Sequence, residues 1–272
     1  MPRSAQPSSS RRDKGDPGAR RGRLVILSGP SCVGKTPLHK ALGRFYPELN
    51  GRLHKLVLFN SRSPRPGEID GKDYHFRTRA QIDELRSDNR YAVLEVRADL
   101  QALDIPELES LLQQGDVLFE GSSFVGRALQ TNSRLASVNR LSIFISPLSK
   151  EEIAYLKAPE RNVSLPDLLT DVMRRKLLRR TTRQKMHLSL KDLEDIEKRA
   201  VSAYRELQEG WHFDYVIANH DGEDSDNWDA FYYLIGDARK SLDAFAELLK
   251  GSTPANIEKW DENLLPESGS RD

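Results

Sequence analysis

The sequence has almost no cysteine: Cys32 stands alone among 272 residues. An internal disulfide and a four-cysteine metal site are both excluded. Long apolar runs are missing as well. No stretch approaches the roughly 18–20 residues of a membrane span, and the charged N-terminal segment lacks the apolar run of a secretory signal. A surplus of charge of one sign is also absent, since the formal net charge is +1. That value argues neither for nor against a nucleic-acid partner. What remains is a polar but globular balance, 38% hydrophobic and 31% charged, in a chain long enough for one large domain with appendages. The expectation is a cytoplasmic protein with neither membrane nor nucleic acid as a partner, its oligomeric state open.

The near-neutral total hides an asymmetry. Residues 1–23 hold seven Arg or Lys and two Asp, so this stretch carries +5 and the remainder −4. It is rich in Pro, Ser, Gly and Arg, cannot recover the entropy of ordering, and reads as a disordered basic tail.

Against this background one segment fixes the chemistry. Gly29-Pro30-Ser31-Cys32-Val33-Gly34-Lys35-Thr36 is a complete G-x-x-x-x-G-K-[ST] phosphate loop. It follows the short apolar run Leu24–Leu27 and precedes Leu38-His39-Lys40-Ala41-Leu42, which has helical spacing. This is the strand–loop–helix context the motif requires. Its glycines let several N–H groups face one anion, and the helix N-terminus adds its positive dipole end. Lys35 supplies a cation for the β- and γ-phosphates, and the Thr36 hydroxyl suits Mg²⁺. Pro37 is tolerated in the first helical turn.

Further along, Leu53–Asn60 reads as a strand and Ser61–Phe76 as a polar loop. A short helix is expected over Ala80–Leu85, a strand over Tyr91–Val96, and an amphipathic helix over Ile105–Gln114 closed by Gly115. Asp116–Glu120 and Leu141–Ser146 read as strands, Leu165 to about Gln208 as mostly helical, and Phe213–Ala218 as the last core strand. Trp228–Leu249 carries helical periodicity, with Trp228, Phe231, Tyr232 and Tyr233 read as core packing. Alternating strands and helices predict an α/β fold with a parallel sheet flanked by helices.

The loop from Asn60 to Phe76 holds Arg62 and Arg65, three apart and stiffened by Pro64 and Pro66. Such a pair can present two guanidinium forks to one phosphate, and Tyr74 adds a hydroxyl. Glu120, ending an apolar strand, suits a Mg²⁺-associated acid or a structural one. Cys32 has no second cysteine or evident base nearby, so a redox or nucleophilic role is rejected. His75, His212 and His220 make no metal spacing.

The phosphate loop followed by Arg62-Ser63-Pro64-Arg65-Pro66-Gly67-Glu68-x-Asp70-Gly71-x-Asp73-Tyr74-x-Phe76 resembles guanylate kinase. The resemblance continues through Glu95-Val96, Asp116–Glu120, Ile196-x-x-Arg199-x-x-x-Ala203-x-x-Glu206 and Phe213-Asp214-Tyr215-Val216-Ile217-x-Asn219, covering roughly residues 24–220. It implies a P-loop kinase with an acceptor-binding region near 53–103 and a helical lid near 160–205. A helical extension over 221–250 and a loose tail over 251–272 would follow. It implies ATP as donor, Mg²⁺ as cofactor, and transfer of the γ-phosphoryl group to a nucleoside monophosphate, GMP above all. By the same resemblance, Gly29 to Pro37 and Asn219 contact ATP, Asn219 beside the adenine. Arg62, Arg65 and Tyr74 hold the acceptor phosphate, with Glu95, Gln101 and Ser122 as further acceptor contacts. Lys35, Arg62, Arg175, Arg180 and Arg199 serve catalysis, and Thr36 and Glu120 serve the metal.

The departures from the family pattern concern the base. Ala92 and Leu58 stand where the family reads the guanine edge. Gln101-Ala102-Leu103 replaces its Tyr-Gly-[ST], and Gly121-Ser122 its Ile-Asp. Cys32 and Pro37 are also unusual in the loop. Two other readings follow: a kinase of the same fold for another phosphorylated acceptor, nucleotide or sugar phosphate, and a non-catalytic binding module. Intact Lys35 and Thr36 count against the second.

Overall fold

The computed structural model describes residues 21–65, 67–96 and 98–265. The expected disordered tail lies outside them up to residue 20. Residues 21–23 are placed, and Arg23 donates to Asp116 at 2.7 Å and to the Leu249 carbonyl at 2.7 Å.

The first strand, β1 (Leu24–Ser28), is buried at every position, as a strand covered on both faces must be. The phosphate loop and α1 (Lys35–Phe45) follow, then the single turn α2 (Pro47–Asn50) and β2 (Leu53–Lys55). The single strand expected over Leu53–Asn60 is in fact two. The Leu56 amide still donates to Leu118 of the core sheet, whereas the Leu58 carbonyl already accepts from His75. Between them the chain crosses to a second sheet and enters β3 (Phe59–Asn60). Apolar patterning alone does not show this, because Leu56 and Leu58 are buried on both sides of the crossing.

The second sheet is completed by β4 (His75–Phe76), which interrupts the expected loop, and by the hairpin β5 (Tyr91–Val96) and β6 (Asp99–Asp104). Helix α3 (Arg79–Glu84) is started by a reciprocal Thr78–Gln81 cap and closes a small separate core of Ile82, Leu100 and Ala102 under Phe59 and Val93. The strand order here is β4-β3-β6-β5.

Helix α4 (Ile105–Gln114) is capped by Asp104 and ends at Gly115, before β7 (Asp116–Gly121) and α5 (Ser123–Thr131). After β8 (Arg140–Ser146) come α6 (Lys150–Lys157), α7 (Leu165–Gln184), α8 (Leu190–Val201) and α9 (Ala203–Gln208). Strand β9 (Tyr215–Ala218) and α10 (Gly236–Lys250) finish the framework. The core sheet runs β2-β7-β1-β8-β9, and every pairing within it is parallel. Helices flank it, so the fold is the α/β architecture expected.

The C-terminal part differs from expectation twice. Helix is confined to α10, and of the aromatic group only Trp228 is buried, while Phe231, Tyr232 and Tyr233 are exposed. The segment after residue 251 is not loose as far as residue 265. Val216 and Glu258 exchange both backbone hydrogen bonds, at 2.8 and 2.9 Å. Trp260 is buried against Phe144, and Leu264 and Leu265 are buried with it. These apolar side chains supply the burial that holds the segment on the β9 edge. Among the described residues no helix is long and apolar enough to cross a membrane.

Candidate active site

The phosphate loop leaves the carboxyl end of β1, the central strand. Gly29 and Gly34 have φ of 148° and 97°. A Cβ on Gly34 would come within 2.6 Å of Asn219 Nδ2, and one on Gly29 within 2.3 Å of the Ile145 carbonyl. Both positions therefore require glycine, for conformation and for space. Cys32 also has positive φ, 67°. Burial, reinforced by Glu223, pushes its thiol up to about 12, which removes it as a nucleophile. The Lys35 ammonium donates to the Gly29 and Pro30 carbonyls at 2.8 Å each, so it spans the loop's mouth. Pro37 sits in the first turn, among the amides that have no partner within the helix.

Parallel register sets Glu120 of β7 beside Leu27 of β1. From there its carboxylate accepts from the Thr36 hydroxyl at 2.7 Å, and His39 Nδ1 lies 3.3 Å from the other oxygen. Burial pushes the Glu120 carboxyl up, but the contacts with His39 and Thr36 and the charge of Lys35 outweigh it and leave it below its usual range. The pair is a hydroxyl and an ionised carboxylate, the hard oxygen donors that Mg²⁺ takes together with water and substrate phosphates. His39 was not anticipated from sequence. Its signal is its position three residues after Thr36, on the same helical face.

Arg62 forms a two-pronged pair with Glu68, at 2.7 and 2.6 Å, beneath which lie the rings of Tyr74 and Phe76, with Arg62 Cζ 5.1 and 5.5 Å from their centroids. Glu68 also accepts from the Arg65 amide at 2.6 Å. It sits at the hinge of the acceptor loop, a second site residue visible in the sequence only as part of the Arg-Pro-Gly-Glu block. Burial pushes the Tyr74 phenol up.

Arg65 then reaches Asp195 of α8 at 3.9 Å. Arg199, one turn further along α8, pairs with the same Asp195 at 2.9 Å and points its Nε at the Ser31 hydroxyl, 3.5 Å away. Arg180 of α7 pairs with Glu223 at 2.5 Å. Burial, with Arg65 and Arg180 alongside, pulls the Arg199 guanidinium down to about 10. Residues from one loop and from α7 and α8 thus gather three cations beside the phosphate loop. Like charges are held together in this way where an anion of several charges is to be received.

Other residues singled out from sequence lie elsewhere. Arg175 is exposed and pairs with Asp171 of its own helix at 2.8 Å. The inward stripe of α7 is Leu165, Leu169, Met173 and Leu177, and a residue two positions from it lies about 200° round the helix. Arg180, three beyond Leu177, stays near the stripe. Glu95 pairs with Arg79 of α3 at 3.2 Å, on the sheet face away from the cleft. Asn219 is buried, and its amide donates to the Val33 and Asp221 carbonyls at 2.8 Å each and accepts from the Asp221 amide. It ties β9 to the phosphate loop, with both amide hydrogens spent on the Val33 and Asp221 carbonyls. Gln101 of β6 is buried, and Ser122 follows β7 as the N-cap residue of α5.

Beyond the loop, Lys176, Arg179 and Arg183 of α7 face His220 and Asp224 to Asn227 across a cavity of about 430 Å³. Lys176 donates to the His220 carbonyl at 2.5 Å, and Arg183 pairs with Asp226 at 3.0 Å.

A family model described as guanylate kinase matches residues 21–163. The guanylate kinase of Rhodococcus jostii is 32% identical over 206 residues, which is 74% of this chain and 82% of that protein. The guanylate kinase of Rickettsia bellii is 29% identical over 207 residues, covering 75% and 90% respectively. The crystal structure of guanylate kinase from Anaplasma phagocytophilum shares the fold, with a TM-score of 0.50 at 20% identity over 85% of this chain and 86% of that one. Phosphate loop, clustered arginines and parallel core sheet thus coincide with a match over more than half the chain, and this protein belongs to the guanylate kinase family.

Proposed function

We propose that this protein transfers the γ-phosphoryl group of ATP to the phosphate of GMP, giving ADP and GDP. The observation that carries this reading is the gathering of Arg65 and Arg180 around Arg199, whose Nε points at Ser31 of the phosphate loop. Arg62, whose charge acts on Arg65, is held over Tyr74. A cluster of cations beside a phosphate loop suits the joined charge of two phosphates.

In this reading the loop amides and Lys35 hold the donor β- and γ-phosphates. Lys35 exchanges the Gly29 and Pro30 carbonyls for phosphate oxygens. Arg62, Arg65 and Tyr74 orient the acceptor phosphate, with Glu68 fixing Arg62 as a rigid fork. Arg180 and Arg199 stabilise charge spread over the equatorial oxygens during transfer, inside a site that α7 and α8 shield from water. No covalent intermediate is required, because the acceptor is already an anionic oxygen. Thr36 and Glu120 would hold Mg²⁺, which would supply charge neutralisation for the donor phosphates. We assign the second sheet with α3 to acceptor binding, α7 and α8 to the lid, and the cytoplasm, where both nucleotides occur, to the reaction.

A coupled ADP-release assay with ATP, Mg²⁺ and GMP, with GDP identified by ³¹P NMR, tests the reading. Formation of both diphosphates supports it. ATP binding without either product overturns it and favours the binding-module reading.

A further inference from the structure

The acceptor sheet has two faces of different character. Directly paired residues share a face, so Phe76, Asn60, Gln101 and Leu94 form one row across its four strands. The row begins beneath Arg62, which lies over Phe76. Gln101 is two strands away, about 10 Å at the usual strand spacing. That is about the reach of a nucleoside monophosphate from its phosphorus to the far edge of its base.

The surroundings of Gln101 are apolar. Leu58, Ala92, Val96 and Leu103 are buried in the main core, and Leu94 and Tyr74 pack against it. Gln101 itself is only 8% exposed. Its Oε1 is buried and has no hydrogen-bond partner among the described residues. A buried amide oxygen left unpaired costs its hydration without return. Ser122 repeats the pattern. Ser122 follows β7 two residues after Glu120 and stands at the N-cap of α5, yet its hydroxyl caps nothing. That oxygen too is buried and unpaired among the described residues. Helix α5 packs on β5, the strand paired with β6.

The geometry points to Gln101 and Ser122 as the pair that reads the acceptor base. This rests on the nucleoside monophosphate kinase reading above. The Gln101 amide matches a purine edge that offers one acceptor and one donor side by side, as O6 and N1–H do. Guanine and hypoxanthine share that edge. Only Ser122 is left to meet the 2-amino group. A neutral amide can also turn over to meet the donor and acceptor of adenine, whereas a carboxylate repels adenine's N1 lone pair. The protein is therefore a purine monophosphate kinase of relaxed selectivity, with IMP accepted beside GMP.

The test is steady-state kinetics with GMP, IMP and AMP on the full chain, on Gln101→Met and on Gln101→Glu, with melting curves for each. For the parent, kcat/KM for GMP and IMP is expected to agree within about tenfold, because only one hydroxyl distinguishes them. Gln101→Met should raise KM for both about 10- to 100-fold with little change in kcat, since only binding is lost. Gln101→Glu should raise the GMP-to-IMP ratio about tenfold, since a carboxylate accepts from N1–H and the 2-amino group together. If Gln101→Met fails to fold, the ratio in Gln101→Glu decides. Folded variants with unchanged KM and unchanged ratios overturn the inference and leave the kinase reading standing. A parent that ignores GMP but turns over another monophosphate with a Gln101-dependent KM overturns GMP as acceptor and leaves Gln101 as base reader. No turnover and no binding of any of these monophosphates, the latter by titration calorimetry, overturns both.

Discussion

At the phosphate end of the cleft, Arg65, Arg180 and Arg199 crowd together with Asp195 and Glu223 as counter-charges. At the end we propose reads the base, two neutral groups, Gln101 and Ser122, are buried and unpaired among the described residues. The phosphate end is costly to assemble, since burial and mutual repulsion pull even an arginine pKa down. Such a cluster persists only if something anionic is to be met there. The base end is inexpensive to change, because a few uncharged atoms set which edge fits. Reaction type and acceptor choice are therefore written in physically separate places. One can diverge while the other stays.

The largest expected effect breaks the phosphate end outright. Lys35→Ala should lower kcat by about 10³-fold or more, equally for every acceptor, as measured by ADP release. An effect that depended on the acceptor would show that the two ends are not separate. Arg199→Met should cost about 10²- to 10³-fold in kcat with acceptor preference unchanged. Arg175→Ala, on the far face of the same lid, should leave kcat within about twofold, as surface changes do. Glu120→Gln should raise the Mg²⁺ requirement about 10- to 100-fold. Mn²⁺ titration followed by electron paramagnetic resonance, with ATP but no acceptor, reads this independently of turnover. An unchanged Mn²⁺ affinity would make Glu120 a structural acid.

Two smaller effects concern the C-terminal part that braces the phosphate end. Trp260→Ala should lower stability by about 3–5 kcal/mol, whereas exposed Tyr232→Ala should stay within about 0.5 kcal/mol. Equal melting of the two variants would mean that the last segment does not pack. The smallest effect is a matter of pH. Burial pulls the His220 pKa down, but Asp237 at 2.5 Å and Glu152 at 2.9 Å outweigh it and leave the pKa raised. A raised histidine adds stability that is fully present below its unfolded value of about 6.5 and fades as pH rises through the folded value. The difference in Tm between the parent and His220→Gln should thus be widest just below that pH and close above it. A difference that grows with pH would contradict the pairing.

Much of the core was legible because its signals are local. β1, α4, β7 and β8 each announce themselves by a continuous apolar run or by a cap such as Asp104 and Gly115. The hairpin strand β6 was missed because Gln101-Ala102-Leu103 divides its side chains between two cores, which blurs its alternation. The C-terminal segment was missed because isolated Trp260 and Leu264-Leu265 carry no periodicity; they are held by a sheet edge far away in sequence.

The sequence by itself determined the phosphate loop, the close packing of Arg62 with Glu68 and Tyr74, and the parallel α/β plan. Each depends on residue types at short spacing, and short spacing is preserved on folding. Only the tertiary structure decided which cations meet. Arg180 and Arg175 belong to one basic run, and packing of the Leu169–Leu177 stripe turns one toward the loop and the other to solvent. It likewise turned Glu95 outward and Gln101 inward, since side chains alternate across a strand and pairing with β3 fixes the face. It also spent the Asn219 amide on the loop backbone, a contact between residues 186 apart. The physical reason is the same in each case: composition and spacing supply the groups, but which face of a helix or strand meets a neighbour is set by long-range burial.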